Sequence, residues 1–192
     1  MKRSLRWCSL ALIAVAMLLA GSSHYAQGQS QTQESHPLRS RSDEMVDLWN
    51  EIGNKLVAMA QDFPEDKYDF KLQKDERTFA QNLLHVASLD YILMRRISGS
   101  NVGPDFKDDN PSRDDYKTKA DVVKLIQSAV ADGAKVIQQE GDAGLDKTTT
   151  FRKTLVRNSY TWMFTIEHSA EHYGQLVVYY RANNLVPPSS RQ

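Results

Sequence analysis

The chain has 192 residues with 24 basic and 24 acidic side chains, enough for one domain once a targeting segment is set aside. Its one cysteine, Cys8, excludes an intrachain disulfide and any site built from several thiolates. The balanced charge lacks the basic excess of a nucleic-acid binder, so no nucleic-acid partner is expected.

Residues 1–26 read as a secretory signal peptide. Lys2, Arg3 and Arg6 make a positive start, the run from Leu10 to Ala20 is uncharged, and small and polar residues follow. The apolar run is short of the roughly 20 residues a membrane span needs. Cleavage near Ala26 or Gly28 gives an exported protein, periplasmic or extracellular, with no stable membrane insertion. An uncleaved anchor is the alternative. Removing 26 residues leaves 166, with no cysteine, 21 basic and 24 acidic side chains and a net charge of −3. Residues 27–41 are polar and aperiodic and read as a flexible linker, in which His36 is an unstructured polar residue.

The domain is expected over 42–190. A first helix spans about 42–62, with Met45, Leu48, Trp49, Ile52, Leu56 and Met59 on one face, Ser42 as cap and Pro64 past its end. The piece 63–74 alternates Tyr68, Phe70 and Leu72, but a lone strand has no partner, so it reads as a linker packing aromatic rings on the core. A second helix covers about 76–98 and stops at Gly99, followed by a long loop to about Ser112. A third runs over about 113–140, ended by Gly141 and Gly144. A fourth runs over about 149–183, ended by Asn183-Asn184 and Pro187-Pro188. Four helices with no credible sheet predict an all-α fold, a four-helix bundle.

The fourth helix carries His168 and His172. A spacing of four puts both rings on one helix face, a turn apart, where two imidazoles can share one metal ion. His85 sits in the apolar stretch Leu83-Leu84-His85-Val86-Ala87, where a polar ring needs a partner or a metal. Three neutral imidazoles with open positions left over suit zinc, nickel or iron; three hydrogen-bonded core histidines are the plainer alternative. His168-Ser169-Ala170-Glu171-His172 also spells H-x-x-E-H, the inverted zinc-protease pattern. That pattern wants a further acidic ligand downstream, and nothing after His172 is acidic, so Glu171 reads as solvent-facing or as a group orienting a ring. Gly174 reads as a close helix-packing position near the metal, and Gln175 as a cross-helix hydrogen-bonding group.

The run His168-x-x-x-His172-Tyr173-Gly174-Gln175-Leu176, then Tyr180-Arg181, then Val186-Pro187-Pro188-Ser189-Ser190, resembles the C-terminal signature of the DinB-like proteins. The segment from Phe79 to Ala87 resembles the same family's first histidine motif. The resemblance covers roughly residues 42–190. It implies a four-helix bundle with a three-histidine metal site, often in a homodimer, with His85, His168 and His172 as the ligands of a divalent metal. It also implies either a metal-dependent hydrolase or a thiol-dependent transferase acting on a small molecule, the substrate unnamed. A non-enzymatic exported bundle that binds metal or ligand is the alternative.

Overall fold

The computed structural model describes residues 37–191. The signal peptide expected at 1–26, and the expected linker as far as residue 36, lie outside the described residues. Helix α1, Arg41–Asp62, starts where the Ser40 hydroxyl accepts from the Asp43 N–H, and Asp43 and Glu44 place negative charge in its first turn. Phe63 is extended, as a residue before proline prefers, and ends the helix. Met45, Trp49, Ile52, Leu56 and Met59 are buried as their spacing requires, whereas Leu48 is 53% exposed.

The segment after α1 does pack its aromatic residues on the core. It makes one 3-10 turn, Glu65–Lys67, with Phe63 and Tyr68 fully buried. Phe63 stacks on Phe79 with centroids 3.8 Å apart, so the linker is fastened to the first residue of the next helix. Helix α2, Phe79–Ser98, opens later than the expected residue 76 because Thr78 and Gln81 form a reciprocal capping box. Gly99, with φ +67°, closes it in the left-handed region that favours glycine.

Helix α3, Lys119–Asp146, departs from expectation at both ends. Arg113–Asp115 is a separate 3-10 turn, and the helix proper begins only at Lys119, behind the Thr118 cap that Asp121 completes as a capping box. Gly141, with φ +59°, breaks the regular dihedrals, yet the chain resumes its helical path to Asp146.

The expected start of the fourth helix near residue 149 is corrected. Strands β1, Thr148–Phe151, and β2, Thr154–Arg157, form an antiparallel hairpin, with Thr148 opposite Arg157 and Phe151 opposite Thr154. The turn residues Arg152 and Lys153 both have positive φ, as a type I′ hairpin turn requires. Three consecutive threonines are stiff at χ1 and fit a pleated strand better than a helix turn. Helix α4, Asn158–Ala182, follows at once. The buried Asn158 side chain donates to the Gly144 carbonyl at 3.0 Å and ties its start to the end of α3.

Helix α1 packs against α3 and α4, and α2 packs against the same two, giving a four-helix bundle with a small hairpin added. At its centre Trp49 meets Trp162 edge to face at 5.4 Å, and the Trp49 indole donates to the Val130 carbonyl at 2.8 Å. The chain end folds back through Arg191, whose guanidinium donates to Asp62 at the end of α1. Among the described residues no helix is long and apolar enough to cross a membrane.

Candidate metal centre

The packing of α2 on α4 brings the three predicted histidines together. His85 lies on the second turn of α2, and His168 and His172 lie a turn apart on α4. Ring centroids are 5.0 Å apart for His85 and His168, 4.8 Å for His85 and His172, and 4.5 Å for His168 and His172. One ring nitrogen from each lies within 4.8 Å of the others. His85 and His172 are buried and His168 is half-buried.

Hydrogen bonds set which nitrogen faces inward. His85 Nδ1 is 2.6 Å from the Asp109 carbonyl, which can only accept, so Nδ1 carries the proton and Nε2 keeps a free lone pair. His172 Nδ1 is 3.0 Å from Asn82 Oδ1. The Asn82 amide is oriented by its own donation to the Thr78 carbonyl at 3.0 Å, which turns Oδ1 toward the ring. His172 therefore also donates from Nδ1 and keeps Nε2 free. The Nε2 atoms of His85 and His168 are 3.1 Å apart. Ligand atoms about 2.0–2.1 Å from a tetrahedral ion stand roughly 3.3 Å from one another, so this spacing fits shared coordination. His168 Nδ1 is buried and has no hydrogen-bond partner among the described residues.

Burial holds all three rings in the neutral form. It pushes His168 down to about 4, helped by the neighbouring His85. It pushes His172 down to about 3, helped by His168 and His85. His85 is lowered by burial against the opposing pull of the Asp109 carbonyl. Neutral imidazole is the form that gives its lone pair to a metal. The donor set therefore fits a divalent ion.

Several supporting groups escaped the sequence reading. Asn82 stands three residues before His85, a spacing that shares a helix face and so gave a usable signal. Asp109 acts through its main chain and gave none. The Phe164 ring stacks beside His168 at 6.1 Å, and the Arg152 guanidinium lies 4.8 Å from the Phe164 ring centre, so the unexpected hairpin braces a ligand helix. Gly174 does not serve close helix packing: a Cβ there would meet nothing within 4 Å, because the residue faces solvent. Glu171 is exposed. Asn82, which meets His172, also lines a cleft of about 790 Å³ together with Arg77, Asn110 and Gln175.

A four-helix bundle that gathers three neutral imidazoles between two of its helices defines a histidine-centred helical protein. The sequence model of the DinB superfamily matches residues 48–176, more than half of the chain, and the chain belongs to that family. Its fold is similar to the crystal structure of a DinB-like protein from Bacillus cereus, with a TM-score of 0.65 and 17% identity over 76% of this chain and 95% of that one. It is also similar to the DinB-like protein YjoA from Bacillus subtilis, with a TM-score of 0.59 and 16% identity over 78% of this chain and 99% of that one. None of the curated proteins matches this chain.

Proposed function

We propose that His85, His168 and His172 hold one divalent ion, zinc, nickel or iron, in an exported protein, and that the centre hydrolyses a small molecule. The observation that carries this reading is the convergence of three neutral imidazole nitrogens within 4.8 Å. A divalent ion held there supplies Lewis acidity, which makes water or a thiol nucleophilic at neutral pH. The chain's own residues keep the donors ready: the Asp109 carbonyl and the Asn82 amide fix two rings, and burial keeps all three unprotonated. Among the described residues no carboxylate joins the three histidines. A structural site is closed by a fourth protein ligand, so an open set supports an enzyme over the second reading, a non-enzymatic binding bundle. Hydrolysis is preferred to thiol transfer because the signal-like start of the sequence points to export, away from the reducing cytosol where small thiols abound.

The expected result is close to one divalent ion per chain by elemental analysis of protein purified without chelator. His168→Ala then loses most of that metal and His36→Ala does not. A folded protein free of metal would overturn the reading. A screen of esters, amides, epoxides and thiol acceptors, with and without metal, separates the classes. Metal-dependent ester or amide turnover supports the hydrolase, thiol-dependent turnover the transferase, and no turnover the binding bundle.

A further inference from the structure

Arg77 lines the cleft of about 790 Å³, one residue before the cap of α2. It is fixed at two points. Its main-chain carbonyl accepts from the Tyr179 hydroxyl, and its Nε and Nη2 donate to the Asn110 side-chain oxygen at 3.0 and 2.8 Å. Arg41, Arg95, Arg113 and Arg191 each pair with a carboxylate. Arg77 makes no ion pair among the described residues. An amide oxygen satisfies two of its N–H groups and leaves its charge without a directly paired carboxylate among the described residues. The cleft Arg77 lines also takes in Asn82, whose side-chain oxygen meets His172.

A guanidinium so placed matches a carboxylate or a phosphate, both of which it binds through paired hydrogen bonds. Asp75 and Glu76 line the same cleft. They oppose a phosphate, which carries close to two negative charges at neutral pH, more than a singly charged carboxylate. Asn82, Asn110 and Gln175 offer amide donors and acceptors there, and Val178 offers apolar surface. We propose that this cleft binds a small monocarboxylate through Arg77, and that an amide next to the carboxylate, as in an N-acyl amino acid, suits the side-chain amides around it. That such compounds are acted on rests on the hydrolase reading above; that they bind does not.

The test uses hippurate as probe, with methyl hippurate as its uncharged analogue and inorganic phosphate as the competing anion, in calorimetric titrations of the full mature protein. Wild type is expected to bind hippurate at least tenfold more tightly than the ester or phosphate. R77A and R77Q are expected to lose at least tenfold in hippurate affinity with wild-type metal content and circular dichroism. R77Q keeps a polar partner for Asn110 and so separates loss of charge from loss of local order. Equal hippurate binding by wild type and R77Q, phosphate bound as tightly as hippurate, or no hippurate binding by wild type would each overturn the proposal. Arg77-dependent hippurate binding by a protein that takes up no metal would uphold it and sink the metal reading alone.

Discussion

Replacing Asn82 with leucine removes the acceptor that turns His172 while keeping nearly the same volume in a site that is 2% exposed. The Thr78 carbonyl stays satisfied, because it also accepts from the Asn82 main-chain N–H at 3.0 Å. The orphan is the buried His172 Nδ1–H, formerly 3.0 Å from Oδ1. Leaving one such donor unpaired costs about 1–3 kcal/mol in the metal-free protein. Losing the group that orients a ligand ring weakens metal binding about 10- to 100-fold, or about 1.4–2.8 kcal/mol. Chelator competition with zinc reads the second quantity and urea unfolding of metal-free protein reads the first. Asn82→Asp separates them further. Its carboxylate still accepts from His172 Nδ1 but sets a second oxygen against the Thr78 carbonyl, so metal affinity is expected to recover while metal-free stability stays low. Zinc affinity for Asn82→Leu within twofold of wild type would refute the orienting role, whatever the stability loss.

A Cβ added at Gly133 would lie 2.3 Å from the Trp49 ring, which its indole hydrogen bond pins in place. Gly133→Ala is therefore expected to cost about 2 kcal/mol by overpacking, lowering the thermal midpoint by roughly 4–8 °C in calorimetry. Asp90 is fully buried, one of its oxygens lacks a partner among the described residues, and burial raises its carboxyl well above the usual range. Above about pH 4 the unfolded chain gives up a proton that the folded chain keeps, so stability falls as pH rises, by up to about 1.4 kcal/mol per unit. Asp90→Asn removes that slope, and its advantage over wild type in urea unfolding is expected to widen from pH 5 to pH 7; a constant difference would count against it. The histidines act in the opposite direction. Their folded values lie below 6.5, so metal-free protein loses stability as pH falls from 6.5 toward 4, which is read most cleanly in the Asp90→Asn background.

The helix-period features were legible because they are local. His168 and His172 share a face at a spacing of four, and the buried positions of α1 recur at three and four. His85 was legible as a polar ring in an apolar stretch. What escaped depended on choices between near-equal local options. Thr148, Thr149 and Thr150 can begin a helix pattern only by ignoring their stiffness, and the positive-φ pair Arg152 and Lys153 carries none of the usual hairpin-turn residues. Helix α3 looked longer at its start because Tyr116 continues the apolar rhythm of Ala120 and Val123, whereas the Thr118–Asp121 box sets the true boundary. The groups around the rings were harder still, because Asp109 and Arg152 approach from segments whose meeting only the folded chain decides; Phe164, four residues before His168 on the same helix, was within reach of the spacing argument.

The bond from His85 to the Asp109 main chain makes the long loop after α2 a strap across the site. Since the hydrogen-bond acceptor is a peptide oxygen, that bond depends on the path of the backbone, while the Asp109 carboxylate, 3.7 Å from the same ring nitrogen, adds only its charge. Substitutions along the loop can reshape the approach to the centre while the ring stays fixed. A single deletion that shortens the strap would release the ring without touching a histidine.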